Sequence, residues 1–221
     1  MLSFSEYLEE GVNDPAIFKA VFLAGGPGSG KSFIVGKTAL PALGFKLINS
    51  DNAFEAALKK AGLTPDPETI FSPQGQQIRK GASELTGKKL DLAISARLGL
   101  VIDGTGKDYS KIERQVVNLR ALGYEVAMVF VNTDLDTALA RNAKRERTLP
   151  DDQVTAMWKE VQKNIGKFQN LFKSKFYVVD NSDGSNFDGA TQSVYKKMMA
   201  WSKAKPQSKQ ATKWIDKQRN T

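Results

Sequence analysis

The stretch AVFLAGGPGSGKSFIVG, residues 20–36, runs a block of apolar residues into a glycine-rich turn, sets Lys31 and Ser32 after it and becomes apolar again. Between a buried strand and a helix, such a turn lets backbone N–H groups converge on one point. Glycine tolerates the φ/ψ values required and adds no Cβ to obstruct an anion. Gly25, Gly30, Lys31 and Ser32 keep the spacing G-x-x-x-x-G-K-[ST], with Gly26, Gly28 and Ser29 inside the loop. In that pattern the amides cradle phosphates, the lysine reaches the β and γ groups of a nucleoside triphosphate, and the hydroxyl holds Mg²⁺. ATP and Mg²⁺ are therefore the expected ligands; the alternative is a plain strand-to-helix turn.

Composition narrows the chemistry. The 221 residues fit one domain with extensions, large enough to bury a sizeable core. Cysteine is absent, which removes disulfides, cysteine-ligated zinc and thiol nucleophiles; histidine is absent too, leaving carboxylates, lysine and tyrosine as candidate bases. The apolar runs are too short to span a bilayer, and MLSFSEYLEE carries acids where a secretory signal carries positive charge. A soluble, cytoplasmic protein is expected. Of the net charge of +8, residues 196–221 hold nearly all: seven lysines and Arg219 against Asp216 alone. This basicity reads as a tail at 204–221, either a solvated extension or a contact for nucleic acid or an acidic protein.

Short apolar runs alternate with helix-period segments, the pattern of βα units around a parallel sheet. Strands are predicted at 18–24, 45–49, 98–102, 124–131 and 176–180. Helices are predicted near 30–40, 52–62, 83–97, 109–122, 134–146, 151–172 and 186–203, with Pro41, Gly62 and Gly123 as punctuation. Residues 63–82, rich in proline and glycine, read as a long surface excursion. The expected fold is α/β, a P-loop NTPase-type three-layer sandwich with a five-stranded parallel sheet and a helical lid. The expected division is an N-terminal extension (1–14), the main domain (15–203) and the tail.

Phosphoryl transfer needs a metal, an oriented nucleophile and positive charge around the moving group. Asp51, in LINSDNAF, follows the second strand and faces the crevice at the carboxyl edge of such a sheet. It can take a proton from an acceptor hydroxyl; equally, Ser50 or Asp51 can simply cap the next helix. Asp103 closes the apolar run of GLVIDGTG, the position for an acid near Mg²⁺, with an Asp-Gly turn as the alternative. Thr105 and Lys107 lie just beyond. In ALARNAKRERTLPDDQV, Arg141 and Arg145 share one helix face, with Arg147 near the helix end and Pro150 opening the next element. They read either as a solvated basic face or as a lid clamping β and γ phosphates.

The order GPGSGKS, INSD, VIDGTG and RNAKR, followed by a proline and a further helix, resembles the P-loop kinases that include bacteriophage polynucleotide 5'-kinases and the zeta-toxin group, over residues 16–180. The resemblance implies Lys31 and Ser32 on ATP phosphates and Mg²⁺, Asp51 as general base, Asp103 as the active-site acid, and Arg141 and Arg145 as lid arginines. One departure stands out: those families place an arginine three residues after the base, where this chain has Phe54. Arg79, Lys80, Lys88 and Lys89 are the candidates to compensate. DGTG and GYEVAMVFV lean toward zeta toxins, whose acceptor is a small sugar nucleotide; RNAKR leans toward polynucleotide kinases.

SFSEYLEEG also resembles the leader that packages internal head proteins of large tailed bacteriophages, with Leu8-Glu9-Glu10 before Gly11 as the cleavage site. An amphipathic first helix is the alternative. The sequence thus points to a kinase acting on a hydroxyl, a nucleic-acid 5' end first and a nucleotide or nucleotide sugar next. It acts in the host cytoplasm if phage-encoded. A nucleotide-binding virion or assembly protein with little catalysis is the competing class.

Overall fold

The structure is a computed structural model that describes residues 12–37, 40–144 and 148–220. Five strands, β1 (Lys19–Ala24), β2 (Lys46–Ile48), β3 (Leu100–Asp103), β4 (Glu125–Asn132) and β5 (Phe176–Asp180), form one sheet in the order β2-β3-β1-β4-β5. Every pairing is parallel. Period-two alternation sends Ala20, Phe22 and Ala24 of β1 to one face and Val21 and Leu23 to the other. β4 divides likewise into Val126, Met128, Phe130 and Ala127, Val129, Val131. Both faces are covered, so these strands read as continuous apolar runs.

The helices are α1 (Lys31–Lys37), α2 (Ser50–Lys60), α3 (Pro67–Phe71), α4 (Pro73–Ser95), α5 (Tyr109–Ala121), α6 (Leu135–Ala143), α7 (Asp151–Lys163), α8 (Ile165–Phe172), α9 (Phe187–Lys203) and α10 (Lys209–Arg219). α5 covers one sheet face with Ile112, Val116 and Leu119, joined there by Val161 of α7 and by Phe168 and Phe172 of α8. α1 and α9 cover the other with Ile34, Val194, Met198 and Trp201. Phe54, Leu58, Ile70 and Ala82 of α2, α3 and α4 make a separate small core beside the sheet. The expected three-layer α/β architecture is present, and among the described residues no helix is long and apolar enough to cross a membrane.

Three local readings change. The excursion expected at 63–82 is mostly helical. Pro67 and Pro73 sit in the first turns of α3 and α4, where proline has no N–H to lose, and Asp66 and Ser72 cap those turns through Thr69 N–H and Gly75 N–H. The prolines mark starts rather than breaks. The helix expected over 151–172 divides at Asn164, whose side-chain amide donates to the Gly106 and Lys107 carbonyls at 3.0 and 2.9 Å. Most of the basic C-terminal segment forms α10, which docks by burying Ala211 and setting Trp214 edge-on against Phe18 at 5.5 Å. The leader-like residues 1–11 lie outside the described residues.

α9 and the segment leading to α10 are tied to the sheet by a buried charge pair. Lys19 Nζ donates to Glu125 Oε2 at 2.7 Å, with side-chain exposures of 1% and 25%. Trp201 Nε1 and the Gln207 N–H donate to the same carboxylate at 2.8 and 2.9 Å. Burial alone would push the Glu125 carboxyl up. The hydrogen bonds from Lys19 and the Gln207 N–H, together with the lysine charge, outweigh it and hold the carboxyl below its usual range. Glu125→Gln leaves a buried ammonium without its counter-charge and is expected to cost about 3 kcal/mol in urea unfolding. Because the folded-state pKa is lowered, the wild-type advantage is present above the usual carboxylate pKa. It disappears as acid carries Glu125 through its folded value, so the two proteins converge at low pH.

Candidate active site

The turn between β1 and α1 packs too tightly for side chains. Gly28 has φ +72°, and a Cβ there would lie 2.6 Å from the Ala138 carbonyl oxygen; Gly30 has φ +89°, and its Cβ would collide with the Asn181 side-chain amide. Any substitution at either position carries both a clash and backbone strain. The Asn181 amide donates to the Ser29 carbonyl at 2.8 Å, so the end of β5 braces the loop. Gly25 N–H donates to the Thr105 carbonyl at 3.0 Å, bracing it from β3. The α-carbon of Trp158 of α7 lies 3.8 Å from the place a Gly26 Cβ would take, and its indole N–H donates to the Thr133 carbonyl at 2.8 Å. Lys31 Nζ sits over the loop, donating to the carbonyls of Gly25 and Gly26 at 2.6 and 3.3 Å. Ser32, in the first turn of α1, is exposed, whereas the Ser29 hydroxyl is buried and without a hydrogen-bond partner.

Register places the acid. Leu23 pairs with Asp103, so the carboxylate ending β3 stands level with the strand that enters the loop. One oxygen, Oδ2, accepts from Asn49 Nδ2 at 2.7 Å; the other, Oδ1, is buried with no partner. Burial pushes the Asp103 carboxyl up, opposed by the charge of Lys31 and reinforced by that of Asp51. Lys31, Asp51 and Asp103 are therefore within electrostatic reach of one another. Asn49, rather than Ser50 or Asp51, caps α2, accepting from the N–H groups of Asp51 and Asn52 at 2.7 and 3.1 Å. Asp51 in the first turn is left exposed and outside the capping role.

The arginines expected to form a lid divide. Arg141 lies on α6 and donates to the Asn181 carbonyl at 2.8 Å and to Asp183 at 3.2 Å, which links it to the loop through Asn181. Arg145 and Arg147 lie outside the described residues. Among the described residues no three acids cluster as a metal site. The Ser32 hydroxyl and the partnerless oxygen of Asp103 are the groups that could hold a divalent ion together with a nucleotide's phosphates. Asn49, Trp158 and Asn181 escaped the sequence reading. Each acts through hydrogen bonds to distant segments, and no local pattern announces that.

One cleft opens at Asp103, and a second shares Lys107 with it. The first, about 490 Å³, lies between the end of β3, α4 and α5 and is lined by Ser50, Asp103, Thr105, Lys107 and Lys111. The other, about 350 Å³, lies between α3, the start of α4 and residues 148–157, and includes Phe71, Arg79, Lys107 and Met157.

Residues 21–166 match the model of a protein family described as an AAA domain, AAA_33. No curated protein matches the chain. Among solved structures, the AvrRxo1-ORF1:-ORF2 complex with ATP is similar at TM-score 0.60 and 14% identity, covering 92% of this chain and 73% of that one. With sulphate bound, the same complex gives TM-score 0.57 at 16% identity; 80% of this chain is covered, and the chain spans 62% of its counterpart's length. The PezAT toxin-antitoxin system of Streptococcus pneumoniae gives TM-score 0.54 at 15% identity, covering 90% of this chain and 91% of that one. The Pnkp1/Rnl/Hen1 RNA repair complex gives TM-score 0.53 at 17% identity, covering 69% and 46%. At these identities the likeness is one of fold.

The raised pKa of Asp103 has a measurable consequence. A carboxyl whose folded-state pKa is raised supports the fold fully below its unfolded pKa and less as pH rises through the folded value. Asp103→Asn is therefore expected to stabilise the ligand-free protein near neutral pH by about 1 kcal/mol, a melting-temperature rise of about 2–4 °C. The gain should shrink toward acid pH, which a series of thermal melts would follow.

Proposed function

We propose that this chain, which belongs to the AAA domain family that it matches over residues 21–166, is a Mg²⁺-ATP-dependent kinase phosphorylating an acceptor hydroxyl, polynucleotide 5'-hydroxyl kinase-like in its substrate. A nucleotide or nucleotide sugar is the second acceptor class. The observation that carries the reading is Asp103: a half-buried acid with one partnerless oxygen, held by Asn49 beside the phosphate-cradling loop and in reach of Lys31 and Asp51. Burying an acid this way is unfavourable in isolation and matches a place where a cation is to be held. The ATP in the AvrRxo1 complex supports the choice of nucleotide.

In this reading Gly25, Gly26, Gly28, Ser29 and Gly30 wrap the β-phosphate with backbone amides, and Lys31 leaves the loop carbonyls for the β and γ oxygens. Ser32 and Asp103 would hold Mg²⁺, which would neutralise charge that develops on the phosphates. Asp51, exposed at the start of α2, accepts the proton of the acceptor hydroxyl as that oxygen bonds the γ-phosphorus. The bond from the γ-phosphorus to the β–γ bridging oxygen breaks and ADP leaves. Arg141 exchanges Asp183 for phosphate, an inexpensive trade for an exposed pair, and Arg145 is its companion in the lid.

A second reading, which the sequence leaves open, is a nucleotide-binding virion or assembly protein with little catalysis, in which Arg141 keeps its pairing with Asp183. Transfer from γ-labelled ATP to 5'-hydroxyl oligonucleotides, nucleosides, nucleoside monophosphates and nucleotide sugars separates the two. The kinase reading expects label on one acceptor class, lost by about a hundredfold or more in Asp51→Asn while ATP binding persists. ATP binding with no labelled acceptor supports the binding protein, and unimpaired transfer by Asp51→Asn removes that residue as the base.

A further inference from the structure

Asn164 sits where α7 meets α8, a place where an asparagine ordinarily caps the helix that follows it. Here it makes no such bond. Its side chain, on a residue only 6% exposed, donates from Nδ2 to the Gly106 and Lys107 carbonyls, 58 and 57 positions away in the chain. The loop that receives it is loose by composition. Gly104 and Gly106 flank Thr105, Gly106 has φ +83°, and a backbone with two glycines so close takes its order from outside contacts. The Gly104 N–H donates to the Leu23 carbonyl at 3.2 Å and the Gly25 N–H to the Thr105 carbonyl at 3.0 Å, which ties the first half of the loop to β1. Asn164 holds the second half, just before Asp108 caps α5 through the Lys111 N–H. Its own base is fixed: Val161 is buried, Gln162 Nε2 donates to Asn132 Oδ1 at 2.9 Å, and the Trp158 indole is bonded to the Thr133 carbonyl.

The two carbonyls belong to the peptide units on either side of the Lys107 α-carbon. Holding both planes fixes the backbone dihedrals of Lys107 and with them the direction in which its side chain leaves the chain. Lys107 is exposed, lines both clefts, and among the described residues its ammonium has no partner. The acids that line the clefts with it are Asp103, offset by Lys31, and Asp108, engaged in capping α5. We infer that Asn164 is a positioning residue: by gripping both peptide units of Lys107 it sends that ammonium to the junction of the clefts, where it meets the terminal phosphate of a bound nucleoside triphosphate. A cation delivered there from β3, facing the loop's own Lys31, stabilises charge on the γ-phosphoryl oxygens and separates a triphosphate from a diphosphate. The inference rests on the kinase reading for transfer itself, but the triphosphate preference is testable by binding alone.

Calorimetry with the β,γ-methylene analogue of ATP and with ADP, both in the presence of Mg²⁺, distinguishes positioning from mere support of the fold. The wild type is expected to prefer the triphosphate analogue by roughly tenfold or more. Lys107→Met, and Asn164→Leu, which keeps the volume and removes the donor, should each remove most of that preference while leaving ADP affinity unchanged. The double variant should lose no more than either single one, because both changes break the same interaction. Asn164→Ala, which leaves room for a water at the two carbonyls, takes the place of Asn164→Leu if that protein does not fold. In the transfer assay kcat should fall by about tenfold in each single variant. Equal affinity of the wild type for the two nucleotides overturns the assignment. So does an unchanged preference in Lys107→Met, an Asn164 variant that melts earlier yet keeps the preference, or losses that multiply in the double variant. The expected binding pattern in a protein that transfers to no acceptor would keep Asn164 and Lys107 in these roles and discard the kinase.

Discussion

The site depends on the parallel pairing of β1 with β3 on one side and β4 on the other. Parallel strands end at the same edge, so pairing Leu23 with Asp103 and Ala24 with Phe130 delivers three different chain segments to one line. The glycine loop leaves β1 there, the carboxylate ends β3 there, and Thr133 follows β4 there to receive the Trp158 indole. Open sheets of this kind gather their ligands at that edge because backbone groups beyond the last ladder hydrogen bonds are free to point at them. The loop is then immobilised by its neighbours, Ala138 against Gly28 and the Asn181 amide on Ser29, and needs little reorganisation to receive an anion.

Charge at this edge is arranged against the stability of the ligand-free fold. Asp103 is desolvated and close to Asp51; Asn49 satisfies one oxygen and Lys31 offsets part of the cost. The opposite end of the sheet shows the contrasting solution. There Glu125 takes a lysine, an indole and a backbone N–H together, and its carboxylate is stabilised. The same residue class is fully satisfied where it holds the fold together and incompletely satisfied where a ligand is expected, a division common at functional sites. Arg141 is half-buried and shared between the Asn181 carbonyl and the exposed Asp183, and the Asp183 pairing is the contact at this edge most easily exchanged.

The helical unit of α2, α3 and α4 adds something the sheet does not provide. It has its own apolar core, so it can present Asp51, Phe54 and Arg79 as one body beside the loop. Its two prolines stiffen the entries to α3 and α4 without breaking either helix. Phe54 contributes apolar area to that core and a flat surface to Arg79, roles that a charged residue at its position could not combine.

The glycine loop, the five strands and the position of Asp103 were legible in the chain. Each is a local pattern: a fixed spacing of glycines and a lysine, a short apolar run, an acid ending such a run. The first turns of α3 and α4 were also written locally, in Asp66-Pro67 and Ser72-Pro73, but were misread because proline breaks a helix everywhere except at its start. Strand order, the grip of Asn49 on Asp103 across 54 residues and that of Asn181 on Ser29 across 152 were settled by the tertiary structure alone. So were the stacking of Arg79 on Phe54 and the docking of α10 on Phe18. Local patterns record which backbone conformation a segment prefers. Which distant partner it meets is decided by burying both faces of one sheet at once, a free energy that belongs to the whole chain and to no segment of it.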